Sequence, residues 1–217
     1  MAKILSIAEA GALIKDGMSV MVGGFLGCGS PNLLIDEIIK NDVKDLTVIC
    51  NDSCFPGKSV GKLQDEHRIK KLYASYIGGH PETGRQMQSG EMEVVLVPQG
   101  TLAERIRAAG FGLGGFLTPT GVGTVVQEGK DVIEVDGKKY LLEKPLRADV
   151  AIIKAHMADT KGNLVYRKAA RNFNPVMACA ADLVIAEVEE IVETGEIDPD
   201  LIHTPGVFVH VLAKGGK

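Results

Sequence analysis

Short apolar runs recur along the chain, each bounded by glycine or polar residues. They lie at Met18–Val22, Leu46–Cys50, Lys71–Ile77, Glu93–Val97, Asp149–Ala155 and Leu183–Val188. Runs of this length are too short for helices and read as buried strands. Between them apolar residues return at helical spacing. Leu33, Leu34 and Ile38 mark a helix from Pro31 to Lys40, and a shorter one covers Thr83 to Ser89. A third follows Pro98-Gln99-Gly100, with Thr101 and Glu104 in a capping-box pattern and Leu102, Ile106 and Ala109 facing inward. The opening residues, MAKILSIAEAGALIKDG, read as a first helix. Strands alternating with helices predict an α/β fold: a mostly parallel open sheet flanked by helices.

One insertion breaks that rhythm. VIEV, then Asp136-Gly137, then KKYLLE predicts an antiparallel hairpin over 131–143. The glycine-rich stretch from Gly110 to Gly123, with Thr118-Pro119-Thr120 inside it, reads as a flexible lid or a plain connector. Asn163–Tyr166 reads as a short strand and Asn174–Ala181 as a small-residue helix. Val207–Leu212 is expected as a last strand near an edge or an interface. Neither a repeat nor a linker divides the chain, so residues 1–217 are expected to form one domain.

The first strand runs into GGFLGCGS, with glycine at 23, 24, 27 and 29. Such a loop admits positive φ and lets a ligand approach the main chain. Ser30-Pro31 reads as a helix start, Ser as N-cap and Pro at the first helical position. Strand, glycine loop and helix N-terminus together suit an anionic or acyl group, because unpaired N–H groups converge there. The plainer reading is a tight turn that packs a helix on a sheet. Nucleotide motifs do not fit: the glycine order is the reverse of G-x-G-x-x-G. In the phosphate-loop pattern ending at Gly57-Lys58-Ser59, the required first glycine falls on Asp52. Ligands of parallel sheets bind beyond the carboxyl ends of the strands, so 23–30, 51–54 and 98–100 should meet at one edge. There the Gln99 amide and the nearby N–H groups could face a carboxylate or oxyanion, or simply satisfy loop carbonyls.

Composition narrows the function classes. A hydrophobic share of 45% with 24% charged residues is ordinary for a soluble protein of 217 residues. A net charge of −4, no tryptophan and only 5% aromatics argue against nucleic-acid binding. No apolar run reaches the ~20 residues of a membrane span, and the N-terminus lacks signal-peptide order, so a cytoplasmic protein is expected. Cys28, Cys50, Cys54 and Cys179 show no disulfide spacing, and no histidine lies near Cys50 and Cys54 to complete a zinc set. Cys54 as a nucleophile would need a base, for which His80 is the nearest histidine in chain order. A half-buried structural thiol is the simpler reading. The histidines at 67, 80, 156, 203 and 210 form no metal motif.

Several separated motifs point to a family. Asp16-Gly17, an apolar block, Gly23-Gly24-Phe25, then Gly29 and Pro31 resemble the first signature of family I CoA-transferases, in their small (A, or alpha) subunit. Asn51-Asp52-Ser53-Cys54, KLYASYIGG at 71–79, Pro98-Gln99-Gly100-Thr101-Leu102 and Asn172-Phe173-Asn174-Pro175 continue the likeness nearly end to end. It is nearest to the butyrate–acetoacetate type. The resemblance implies a subunit that moves CoA between a short-chain acyl-CoA or 3-oxoacyl-CoA and a free acid of the acetate, butyrate or acetoacetate type. Coenzyme A would be a substrate, with no tightly bound cofactor and no metal. It implies a B-subunit partner, in a heterotetramer with two copies of each chain. A glutamate of that partner would form the acyl anhydride and then the CoA thioester, in ping-pong order.

By the same likeness Gln99 binds the carboxylate or oxyanion. Gly24, Phe25, Leu26, Gly27, Cys28, Gly29, Ser30, Asn51, Asp52 and Gly100 complete the substrate and CoA site. The partner's Ser-Glu-Asn-Gly-type motif is absent here, and Glu82 and Glu91 look like surface residues. Arg167, Lys168 and Arg171 could meet CoA phosphates, although an exposed polar face is the ordinary reading of such a cluster. The competing reading is a sugar-phosphate isomerase or a ligand-sensing domain of similar fold. Against it, the loops at 23–30 and 98–100 carry no Lys or Arg to grip a phosphate, and no DNA-reading domain is attached.

Overall fold

Alternate residues of each central strand enter different cores, which is why the strands read as continuous apolar runs. The computed structural model describes residues 2–215. Strand β1 (Lys3–Leu5) and helix α1 (Ile7–Gly11) precede β2 (Ser19–Val22), α2 (Asn32–Lys40), β3 (Leu46–Ile49) and α3 (Gly61–Asp65). Then come β4 (Ile69–Ala74), α4 (Pro81–Ser89), β5 (Glu93–Leu96) and α5 (Gln99–Gly110). The small strands β6 (Phe116–Thr118), β7 (Val132–Val135) and β8 (Lys138–Glu143) lead to the long β9 (Ala148–Asp159). β10 (Leu164–Val165), α6 (Asn174–Met177), β11 (Ala181–Val192) and β12 (Val211–Lys214) complete the fold.

The main sheet runs β1-β12-β11-β9-β2-β3-β4-β5 with every neighbouring pair parallel, and β10 lies antiparallel on β9. On one face Ile14, Leu34, Ile35, Ile38 and Leu63 pack on Val20, Val22, Val48 and Ile152. On the other, Leu102, Ile106 and Met177 pack on Met21, Ile49 and Ile153. Burying each such side chain is worth roughly 1.5–3 kcal/mol. The strands β2 to β5 advance in one direction, whereas β9 pairs with the other side of β2. The order therefore switches between β2 and β9, and a crevice is expected at their carboxyl ends. The glycine loop leaves β2 at that point. Among the described residues no helix is long and apolar enough to cross a membrane.

The hairpin forms as expected: β7 and β8 pair, with Asp136 and Gly137 both at positive φ. Four other expectations need correction. The chain opens with a strand, β1, and Ser6 then starts α1 with a full capping box to Glu9. The segment 110–123 is neither an open lid nor a bare connector, because Phe116–Thr118 zips onto β8 in a three-stranded antiparallel sheet. The last strand starts at Val211 rather than Val207, after a helical turn at Gly206–Phe208, although it does lie near an edge, second in the sheet between β1 and β11. Finally, α5 begins at Gln99 because Pro98 (φ −51°, ψ 135°) turns the chain straight into the helix. Thr101 then falls inside the first turn, cannot cap, and leaves Glu104 to pair with Arg107.

Candidate active site

Phe25 and Cys28 exchange both backbone hydrogen bonds, at 3.1 and 2.9 Å, so Leu26-Gly27 is a two-residue turn. Its φ values are 47° and 83°, a geometry that demands positive φ at both positions. Glycine adopts it freely, whereas a leucine there costs about 1–2 kcal/mol. The close approach of the loop explains two further glycines. A Cβ on Gly24 (φ 123°) would lie 2.2 Å from Ser30 Oγ, and one on Gly29 (φ 70°) 2.8 Å from the Ala170 backbone.

The strained Leu26 is held from β3. Its N–H donates to Asp52 Oδ2 at 2.9 Å, and Asn51 Nδ2 donates to the same oxygen at 2.6 Å. Asp52 Oδ1 accepts the N–H of Cys54, another residue at positive φ (57°), at 2.8 Å. Asp52 is 4% exposed, and its carboxylate is fully engaged in shaping the loops. Next along the chain of contacts, Gln99 Nε2 donates to Asn51 Oδ1 at 2.7 Å. The ends of β2, β3 and β5 are thus linked as Leu26–Asp52–Asn51–Gln99.

Unpaired donors lie along the same loops. Gln99 is exposed, and its amide keeps a second N–H beyond the one given to Asn51. Pro98 gives α5 no side-chain cap, so the N–H groups of Gln99, Gly100 and Thr101 stand unpaired at a helix N-terminus. Among the described residues, the N–H groups of Gly24, Gly27, Gly29 and Ser30 also make no hydrogen bond. The arrangement can receive a carboxylate or an oxyanion.

The other helix N-terminus is closed, contrary to expectation. Helix α2 starts at Asn32, with Pro31 as N-cap and no side-chain cap from Ser30, whose hydroxyl is enclosed against Gly24. The N–H groups of Leu33 and Leu34 donate to Glu187 Oε2 on β11, at 2.9 and 3.2 Å. Burial pushes the Glu187 carboxyl up from its ordinary value, against those two N–H groups and Lys154, which pull it down. This anion takes the place a ligand would otherwise occupy on α2. Its sequence signal was a lone glutamate within the apolar run Leu183–Val188, but nothing local names its partner. Glu187→Ala is expected to lower unfolding free energy by about 2 kcal/mol in chemical denaturation, with Glu187→Gln recovering part of the loss. An alanine variant as stable as wild type would show that α2 is capped by something else.

The remaining candidates lie apart from this centre. Burial pushes the Cys50 and Cys54 thiols up, away from the thiolate a nucleophile needs. The His80 ring is buried and faces Asp65, with Nε2 3.1 Å from Oδ1. Among the described residues no group of three His, Cys, Asp or Glu side chains could hold a metal. The Arg85 guanidinium draws the Glu82 carboxyl down to about 2, and Glu91 meets His67. Arg171 contacts His203.

A doubly wound sheet with unpaired N–H donors at its switch point defines a class of ligand-binding α/β proteins, and sequence comparison says which. The chain belongs to the coenzyme A transferase family, whose sequence profile matches residues 4–215. Among its relatives, the acetate CoA-transferase subunit alpha of Escherichia coli (strain K12) is 55% identical over 213 residues, covering 98% of this chain and 97% of that one. The acetoacetyl-CoA:acetate/butyrate CoA transferase alpha subunit of Clostridium acetobutylicum is 48% identical, with 98% and 97% covered. A crystal structure of an acyl-CoA transferase from Escherichia coli O157:H7, in a thioester complex with CoA, superposes with a TM-score of 0.87 at 22% identity. That likeness is one of fold, and it covers 99% of this chain but only 47% of the longer one. Family membership sets aside the isomerase and sensor readings.

Proposed function

We propose that this chain is the A subunit of a heteromeric transferase that moves CoA between a short-chain acyl-CoA or 3-oxoacyl-CoA and a free carboxylic acid. The names of the relatives support acids of the acetate, acetoacetate and butyrate type. The observation that carries the reading is the Leu26–Asp52–Asn51–Gln99 link, which holds open N–H donors at the carboxyl edge of the sheet. Gln99, the first turn of α5 and the main chain of 24–30 bind the acyl or carboxylate group and stabilise the negative charge that develops on its oxygen. Asp52 acts by positioning: a carboxylate already accepting three hydrogen bonds is no nucleophile.

The attacking carboxylate therefore comes from a B subunit. Its glutamate attacks the acyl-CoA carbonyl, and CoA thiolate leaves as an acyl–glutamyl anhydride forms. The thiolate then attacks the glutamyl carbonyl and expels the free acid, leaving a glutamyl–CoA thioester. The second acid reverses both steps, so CoA is a substrate and no other cofactor takes part. Two facts support a partner: the relatives are named as alpha subunits, and the longer acyl-CoA transferase has a further half that this chain does not match. The test is an acyl-CoA:acetate exchange assay. The purified chain alone is expected to show no turnover, and addition of the B subunit to restore it. Full turnover by this chain alone would refute the divided site.

A further inference from the structure

Asp52 braces the glycine loop from the β3 side, and two asparagines brace it from the β9 side. Asn174 is the first residue of α6 and is fully buried. Its amide meets two carbonyls and one N–H, which fixes its orientation. Nδ2 donates to Gly29 O at 3.0 Å and to Ala170 O at 2.8 Å, and Oδ1 accepts the Lys154 N–H of β9 at 3.0 Å. Asn172, half-buried, donates from Nδ2 to Cys28 O at 3.0 Å and to Ala169 O at 2.8 Å. Between and after them, Phe173 and Met177 are anchored in the second core. The contact with the loop is so close that a Cβ on Gly23 would lie 1.9 Å from Asn174 Oδ1. Gly23 has no positive φ, so this approach alone accounts for its lack of a side chain.

A trans peptide unit is planar and points its C=O and its N–H in opposite directions. Holding Cys28 O therefore fixes the Gly29 N–H, and holding Gly29 O fixes the Ser30 N–H, each turned away from the asparagines. Both N–H groups belong to the unpaired donors of the loop. Ser30 lines a small crevice with Gly24, Asn51 and Asp52, on the other side of the loop. Gly29 itself, at φ 70°, would let either peptide unit rotate at little cost. Among the described residues Asn174 is the only donor to Gly29 O, and without Asn172 the Cys28 carbonyl would keep only the Phe25 N–H at 3.1 Å.

We propose that Asn172 and Asn174 are positioning residues of the transferase site: by holding Cys28 O and Gly29 O they aim the Gly29 and Ser30 N–H groups at the acyl or carboxylate oxygen. The proposal rests on the transferase reading and adds to it what sets the direction of its main-chain donors. Such donors act most strongly once charge has developed on the oxygen, so misdirecting them lowers kcat more than it raises KM.

Asn172→Ala tests this in the reconstituted complex, since the side chain is half-buried and lies outside both cores. Its kcat for acyl-CoA:acetate exchange should fall about tenfold to a hundredfold, with KM for acyl-CoA and the unfolding temperature near wild type. Asn174→Asp keeps the shape and the acceptor for the Lys154 N–H but sets a carboxylate oxygen against Gly29 O, and should lose at least as much. A wild-type kcat for Asn172→Ala, or a loss that only follows a lowered unfolding temperature, would overturn the proposal. A second readout is independent of turnover. With this chain ¹⁵N-labelled in the complex, acetate should move the Gly29 and Ser30 amide signals, and Asn172→Ala should abolish the Gly29 response. Wild-type signals that ignore acetate would overturn the proposal. Movement of both signals in a complex that shows no exchange would sink the transferase reading and leave the positioning role standing.

Discussion

Asp52→Ala is expected to reduce kcat/KM of the reconstituted enzyme by at least about a hundredfold and to lower the stability of this chain. The substitution strips the partner from the Leu26 and Cys54 N–H groups and from the Asn51 amide. Each buried donor left unpaired costs about 1–3 kcal/mol. Leu26 and Cys54 also keep left-handed conformations that no longer have an acceptor to hold them. The Leu26-Gly27 turn should then relax, and displacement of about 1 Å at a reacting centre is worth about 10²-fold in rate. Asp52→Asn retains one oxygen but presents an NH₂ group to donors, so it should fall between wild type and alanine. Thermal unfolding and steady-state kinetics read both effects. Wild-type values for the alanine variant would mean that the glycine loop keeps its shape without β3.

Gln99→Ala should separate the two effects. Gln99 is exposed and gives one hydrogen bond, to Asn51, so little stability depends on it. In the proposed mechanism its free amide N–H meets the developing charge, and loss of one such donor lowers kcat by about 10²-fold. A rate loss with unchanged unfolding would separate the binding amide from the positioning carboxylate beneath it. An unchanged kcat would leave the N–H groups of α5 and the loop as the whole of the oxyanion site, and would remove Gln99 from the mechanism.

The parallel sheet was legible because both of its faces are buried, which makes segments such as Val20–Val22 and Val150–Ile153 uninterrupted in apolar residues. The hairpin was legible because Asp136-Gly137 is one of the few pairs that accept positive φ twice. β1 was not, since Lys3–Leu5 becomes a strand only by pairing with Val211–Ala213, from the far end of the chain. The convergence of 23–30, 51 and 99 followed from strand order alone. What could not follow was the division of labour between neighbours. Asn51 and Asp52 look alike in sequence, yet one faces Gln99 and the other holds a strained turn. The choice of helix N-terminus was hidden for the same reason. The N–H groups of α2 looked available beyond a Ser30 cap, and the buried Glu187 takes two of them, while the Thr101 cap expected for α5 is absent because the helix starts directly after Pro98.

The central claim is a division of chemistry: this chain supplies a preformed set of amide donors, and another polypeptide supplies the carboxylate that becomes covalently bound. Intact-mass measurement of the two chains after mixing the complex with acyl-CoA, without acceptor acid, tests it most directly. The CoA adduct is expected on the partner chain, with the mass of this chain unaltered. An adduct on this chain would contradict the account.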